Sequence, residues 1–109
     1  EAQLSNILSK SWGHEKLLHN GKYCMKLLVY TKTVASSLHY HDLKHETFFI
    51  ASGRFSIEVA GITRTYLPGD YVEIPPGTLH RVRCLEPGTI VEASTHDDSS
   101  DCVRLIPSE

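Results

Sequence analysis

The sequence lacks the features that mark membrane, nucleic-acid-binding and disulfide-rich proteins. No apolar run approaches the roughly 18 residues that a membrane-spanning helix needs. Eleven basic residues against thirteen acidic ones give a net charge of -2, and their scatter argues against a nucleic-acid partner. Cys24, Cys84 and Cys102 form no Cys-x-x-Cys pair, so we expect reduced thiols. No basic start precedes an apolar stretch, so we expect no signal peptide and a cytoplasmic protein.

Length and pattern together predict one small β domain. At 109 residues, with 40% hydrophobic content, we expect a single domain over residues 1–109 with one modest core. Nine or ten short runs separated by turn residues predict an all-β sandwich or barrel. From Arg54 to Val59, for example, Phe55 and Ile57 alternate with polar residues. Residues 1–11 carry a weak helical pattern through Leu4, Ile7 and Leu8, so we allow at most a short N-terminal helix.

An Asn-Gly pair predicts the first hairpin. Asn20-Gly21 separates two strand-like runs, and this pair is a strong signal for a tight β-turn. The second run, residues 23–30, is apolar at the alternate positions Met25, Leu27 and Val29. Lys26 therefore points to the opposite face of that strand.

Three good metal ligands fall within eight residues of the chain: His39, His41 and Glu46. Successive side chains of a strand point to opposite faces, so His39 and His41 share one face. We expect the strand opened by Glu46 to fold back as an antiparallel neighbour of the first, which brings its carboxylate to the imidazoles. Such a set of nitrogen and oxygen donors suits Zn, Fe, Mn, Ni or Co, and a further ligand is usually needed.

His80 is the candidate for that further ligand. It follows a turn at residues 68–70, a short apolar strand and a second turn at residues 75–77, so its imidazole lies at the start of a strand.

These two segments resemble the two motifs of the cupin superfamily. Residues 39–53 read His-x-His-x4-Glu-x6-Gly, and residues 69–80 read Gly-x5-Pro-x-Gly-x2-His. The resemblance implies a small antiparallel β-barrel, or jelly roll, with one divalent metal ion in its mouth. The implied ligands are His39, His41, Glu46 and His80.

A closer resemblance covers nearly the whole chain. The segments 12–16, 44–47, 91–95 and 101–105 are similar to small cupins of the mannose-6-phosphate isomerase-like group. This implies a metal-dependent aldose/ketose isomerase acting on a sugar or sugar phosphate. That group commonly has Gln at the position of His39, and an imidazole there should tighten the binding of late divalent metals such as Zn or Ni.

An isomerase also needs a base near the substrate C2 proton. His45, beside the ligand cluster, and Glu73, on the strand that leads to His80, are the two candidates. Four cations are candidates for a phosphate site: Lys44, Arg54, Arg81 and Arg83. Four aromatic side chains are candidates for contacts with a sugar: Tyr23, Tyr40, Tyr66 and Tyr71.

Two other functions fit the same motifs. One is an iron-dependent dioxygenase of a small organic substrate, and the other is a sugar-binding or regulatory cupin without a well-placed base. Fold alone does not choose among these three. Because an open barrel leaves edge strands to cover, we also expect a homodimer.

Overall fold

The computed structural model describes residues 6–109, and eleven β-strands make up most of this part of the chain. A short 3-10 turn, Ser99–Asp101, precedes the last strand. The strands are β1 (Ile7–Lys10), β2 (Gly13–Asn20), β3 (Tyr23–Tyr30), β4 (Leu38–His41), β5 (Glu46–Ile50), β6 (Arg54–Val59), β7 (Ile62–Tyr66), β8 (Tyr71–Ile74), β9 (His80–Glu86), β10 (Gly88–Thr95) and β11 (Cys102–Ile106).

The strands form two antiparallel sheets that face each other. The first sheet has six strands in the order β1-β2-β3-β10-β5-β8, and the second has five in the order β11-β4-β9-β6-β7. The prediction of an all-β antiparallel jelly roll is therefore confirmed, although the two sheets do not close into one continuous barrel. No helix among residues 6–109 is long and apolar enough to cross a membrane.

Alternation along the strands fills the core between the sheets. Phe55 and Ile57 point inward from β6 and are fully buried, as their spacing predicts. They meet Ile50 and Ile90 from the facing sheet, which are also fully buried. This core occupies one end of the space between the sheets, and polar residues line the other end.

The inner face of β3 differs from what its apolar pattern indicates. Met25 is 39% exposed, whereas Leu28 and Tyr30 on the other face are buried. Lys26 does lie opposite Met25, but its face is the inner one. Because both faces of this strand carry apolar residues, alternation alone does not identify the buried face.

The weak helical pattern at the N-terminus produces no helix in the residues that the structure describes. Ile7–Lys10 is a strand that pairs with β2, with Ile7 opposite Lys16. Pairing with a neighbouring strand satisfies its backbone groups, and this overrides a weak helical pattern. Residues 1–5, including Leu4, lie outside the described part of the chain.

Gly53, which closes the first motif, packs tightly against the turn between β9 and β10. Its φ is 84°, and a Cβ there would lie 2.7 Å from the Glu86 carbonyl oxygen and 2.8 Å from that of Pro87. Gly69 has a similar φ of 94°, but nothing lies within 4 Å of its added Cβ. A side chain at Gly69 would therefore meet backbone strain alone, whereas a side chain at Gly53 would meet both strain and steric overlap.

We expect Gly69→Ala to cost about 1–3 kcal/mol of unfolding free energy, which is the typical strain of a non-glycine residue in this region. Gly53→Ala should cost more, because backbone oxygens must also move. Urea unfolding of both variants measures the difference. Equal losses would show that the close approach at Gly53 has no energetic weight.

Candidate metal centre

Three imidazoles converge at the polar end of the space between the sheets. His39 and His41 lie on β4, and His80 begins the neighbouring strand β9, where it pairs in register with His39. One ring nitrogen from each histidine lies within 4.8 Å of the other two. The structure thus brings together the three histidines that the sequence singles out.

Glu46 reaches this cluster from the opposite sheet. The expected pairing of β4 with β5 is wrong, since β4 pairs with β9 and β11 while β5 pairs with β10 and β8. The connection between them crosses from one sheet to the other, so Glu46 faces the histidines across the cavity. Its Oε2 atom lies 3.0 Å from His80 Nε2 and 3.7 Å from His41 Nε2.

Each imidazole is oriented by a hydrogen bond at its other nitrogen. Nδ1 of His80 lies 2.9 Å from the Thr78 carbonyl oxygen, and Nδ1 of His41 lies 3.2 Å from that of Asp101. Nδ1 of His39 contacts the Ser37 hydroxyl at 2.8 Å and the Ser37 carbonyl at 3.1 Å. A carbonyl oxygen only accepts, so the proton sits on Nδ1 and the Nε2 lone pair is left for a metal.

Two buried polar atoms without hydrogen-bond partners indicate whether the site suits a metal. Among the described residues, Glu46 Oε2 and His80 Nε2 are the buried side-chain atoms without a hydrogen-bond partner. They lie in contact, but with the His80 proton on Nδ1 both present lone pairs to each other. Such an apposition of acceptors is unfavourable unless a cation or proton lies between them. The residues therefore fit a divalent metal.

The ionisation of the site also suits metal binding. Burial, followed by the neighbouring imidazoles, lowers the pKa of His39 to about 3. Burial and the Lys44 charge lower the pKa of His41. Burial raises the pKa of Glu46, but contact with His80 and the Lys44 charge outweigh it and lower that pKa to about 2. At neutral pH His39 and His41 are therefore neutral and Glu46 is ionised, which are the forms that bind metals.

The lowered pKa of His39 predicts a pH dependence of stability for the metal-free protein. The unfolded chain takes up a proton on His39 below its ordinary pKa of 6.5, whereas the folded chain does so only near 3. The contribution of His39 is therefore complete above pH 6.5 and is lost as pH falls towards 3. His39→Gln should flatten this part of the profile, by up to about 1.4 kcal/mol per pH unit. Urea unfolding at several pH values, in the presence of a chelator, measures it; parallel profiles would contradict the prediction.

The centre sits in a cavity of about 270 Å³ between the sheets. Part of its lining is an apolar wall that includes Trp12, Leu28 and Phe48. Trp12 stacks on Tyr30 with ring centroids 4.1 Å apart. Beside it, where Glu92 pairs in register with both Phe48 and Lys26, lies a charged wall whose side chains contact one another in a network: Glu15, Lys26, Lys44, Glu92 and Asp97.

Sequence reasoning missed most of this charged network. Lys44 is predicted only as a candidate cation for a phosphate, and it does line the cavity, but its side chain is only 4% exposed. Its Nζ lies 3.1 Å from Glu92 Oε2 and 2.9 Å from Asp97 Oδ1. The available signals were Glu92 and Lys26, which are charged residues within the apolar runs of β10 and β3.

The two predicted base candidates lie elsewhere. His45 and Glu73 pair with each other, with side chains 43% and 64% exposed, and neither lines the cavity. Glu73 neighbours the inward-facing Ile74 on β8, so alternation directs it to the outer face of the first sheet.

The other predicted ligand-binding residues also lie away from the cavity. Arg54 pairs with Glu86, and Arg81 and Arg83 pair with Glu109. The four tyrosines proposed for sugar contacts are not among the lining residues: Tyr23, Tyr40, Tyr66 and Tyr71. Cys24, Cys84 and Cys102 are all free in the structure.

The chain matches a known family in sequence and known structures in fold. Residues 27–94 match a family model described as a cupin domain. No curated protein matches the chain by sequence. Among solved structures, an RmlC-like cupin from Shewanella frigidimarina is 19% identical, with a TM-score of 0.78 and 86% coverage of both chains.

Two further structures are similar. KdgF from Halomonas sp. is 18% identical, with a TM-score of 0.74 over 88% of this chain and 84% of that one. The capsular polysaccharide assembling protein CapF from Staphylococcus aureus is 17% identical, with a TM-score of 0.78 over 92% of this chain and 31% of CapF. At these identities the structural likeness establishes the fold alone.

Proposed function

The chain belongs to the cupin domain family, and from this premise we propose that it is a metal-dependent isomerase of a sugar or sugar phosphate, similar to the mannose-6-phosphate isomerase-like cupins. One observation carries the proposal. Three imidazoles, each with Nδ1 engaged, present Nε2 to the cavity beside a carboxylate oxygen that lacks a partner. This arrangement has the chemistry of a metal site that is open on the cavity side.

The residues that would hold the metal are His39, His41, Glu46 and His80. A bound divalent ion supplies a Lewis acid that polarises a substrate oxygen and stabilises negative charge developing on it. Zn, Ni, Mn, Fe and Co all suit this donor set, and the third imidazole favours the late members of the series.

The apolar wall of the cavity is suited to the carbon face of a sugar. Trp12 and Phe48 are buried at 4% exposure and line the space beside the centre. Aromatic rings pack against apolar CH groups, while the adjacent charged wall offers hydrogen-bond partners to hydroxyl groups. A cavity of about 270 Å³ limits the substrate to a small molecule.

We assign the proton transfer to Glu92 in preference to His45 or Glu73, because Glu92 lines the cavity and they do not. Its side chain is 5% exposed, and its Oε2 accepts hydrogen bonds from Lys44 at 3.1 Å and Ser94 at 3.2 Å. Burial and the nearby Glu46 carboxylate raise the pKa of Glu92. A carboxylate with a raised pKa is a better match for a general base at neutral pH.

The comparisons support a carbohydrate ligand without identifying it. CapF is named for capsular polysaccharide assembly, and its fold resembles that of this chain. The expected homodimer and cytoplasmic location remain predictions.

A non-catalytic sugar-binding cupin is the second candidate, and one observation favours it. Glu92 is held in an ion pair with Lys44, and an ion pair makes a carboxylate a weaker base. Metal and ligand would then bind without turnover.

Incubating the metal-loaded protein with a panel of aldoses, ketoses and their phosphates in deuterium oxide separates the two candidates. An isomerase introduces deuterium at C2 of the aldose or at C1 of the ketose, which proton NMR detects. Ligand binding without deuterium incorporation across the panel would favour the non-catalytic function, and oxygen uptake would favour a dioxygenase.

A further inference from the structure

Lys44 is the most buried lysine in the charged wall, and it contacts three carboxylates. Its Nζ lies 3.4 Å from Glu46 Oε1, in addition to its contacts with Glu92 and Asp97. Burying a lysine costs free energy unless its charge is balanced, and three carboxylates balance it here. Its position is therefore specified by the surrounding structure.

The two oxygens of Glu46 have different surroundings. Oε1 lies against Lys44 Nζ, whereas Oε2 lies 3.0 Å from His80 Nε2. With Oε1 attracted to the ammonium group, rotation of the carboxylate is restrained and Oε2 faces the imidazoles. A carboxylate restrained in this way offers one oxygen to a metal.

The backbone that carries Lys44 is also fixed. The Asp101 carboxylate accepts hydrogen bonds from the backbone N–H groups of Asp42, Leu43 and Lys44, at 2.9, 3.0 and 3.0 Å. The carbonyl oxygen of the same Asp101 orients His41 at 3.2 Å. One residue thus anchors both the connection and a metal ligand.

From these contacts we propose that Lys44 is a positioning residue, which holds Glu46 as a one-oxygen ligand and so keeps coordination positions open for the substrate. The inference rests on the proposed metal site. It predicts an effect opposite in sign to simple electrostatics. A lysine near a cation repels it, so removing the lysine would tighten metal binding if charge alone mattered.

Lys26 provides a matched control. It lies in the same wall and contacts the same Asp97, at 3.0 Å, with Glu15 as its other partner at 3.3 Å. In the part of the chain that the structure describes, Lys26 forms no ion pair with Glu46, so Lys26→Met removes a similar charge without releasing the ligand.

The test is a competitive Zn²⁺ titration of the intact protein and of Lys44→Met and Lys26→Met, with folding checked by circular dichroism. We expect Lys44→Met to weaken Zn²⁺ binding about 10- to 100-fold, the usual cost of removing a partner that orients a ligand. Lys26→Met should bind Zn²⁺ as tightly as the unaltered protein or more tightly, because this substitution removes only a repulsive charge. In the Co²⁺-loaded proteins, the visible d–d bands of Lys44→Met should weaken, because a released carboxylate can donate both oxygens and raise the coordination number.

Equal or tighter Zn²⁺ binding by Lys44→Met, with an unchanged Co²⁺ spectrum, would overturn the proposal while leaving the metal site intact. If the unaltered protein binds no Zn²⁺, the proposed function fails together with it. If Lys44→Met does not fold, the double variant Lys44→Met/Glu92→Gln takes its place, because it removes one charge of each sign and so leaves the net charge of the wall unchanged. This double variant should bind Zn²⁺ about 10- to 100-fold more weakly than Glu92→Gln alone, and equal affinities would again overturn the proposal.

Discussion

His80→Ala is expected to reduce bound metal from one ion per chain to a small fraction. His80 is only 1% exposed, its Nδ1 is oriented by the Thr78 carbonyl oxygen, and its Nε2 lies against Glu46. The substitution removes a ligand and leaves three donors, two imidazoles on β4 and one carboxylate from the facing sheet. Loss of a partner that merely orients a ligand already costs about 10- to 100-fold in affinity, so losing the ligand itself should cost more. Elemental analysis after gel filtration measures the result.

Two further variants show whether the loss of metal is specific to the proposed ligands. His41→Ala should lose metal in the same way, and it opens less space in the interior because His41 is 8% exposed. His45→Ala should keep one metal per chain, because His45 is directed outward and pairs with Glu73. Circular dichroism should show the same β spectrum for all three. One metal per chain in both His80→Ala and His41→Ala would mean that the ligands are assigned wrongly.

Glu92→Gln is expected to lower turnover by about 10²- to 10⁴-fold, the usual contribution of a general base. The amide keeps the size of the carboxylate and can still accept a hydrogen bond from Lys44, but it does not take up a proton. Metal content should remain at one per chain, because Glu92 is not among the proposed ligands. Deuterium incorporation into the substrate, followed over time by NMR, gives the rate.

Glu73→Gln is the control for this prediction. Glu73 is 64% exposed and lies outside the cavity, so its neutralisation should leave the rate unchanged. A loss of turnover in Glu73→Gln but not in Glu92→Gln would return the catalytic role to the outer pair of His45 and Glu73.

The motif histidines were predictable because their positions depend on local geometry. Alternation along one short strand places His39 and His41 on the same face, and the turns before His80 deliver it to a strand start. Glu46 was predicted to reach the cluster through direct strand pairing. It reaches it across the gap between the sheets, because the connection from β4 to β5 changes sheet.

The charged wall was not predictable in the same way, since its contacts join residues far apart in the chain. Lys44 contacts Glu92 and Asp97, which are 48 and 53 positions away. Which charges meet depends on how the strands are ordered across the sheets, and spacing along the sequence carries no information about that order. The sequence therefore identifies Lys44 only as a candidate cation for a phosphate, whereas the structure buries it beside Glu46.

The inner face of β3 was ambiguous for a related reason. The strand carries apolar residues on both faces, and only the facing sheet decides which of them is buried. Lys26 lies on that inner face because Glu15 and Asp97 balance its charge there.

The most direct test of the metal centre is anomalous X-ray diffraction from crystals of the protein loaded with Zn²⁺ or Co²⁺. We expect one anomalous peak per chain in the cavity, about 2.0–2.2 Å from the Nε2 atoms of His39, His41 and His80 and from one oxygen of Glu46. A peak bound through other residues, or no peak within reach of these four side chains, would contradict the assignment.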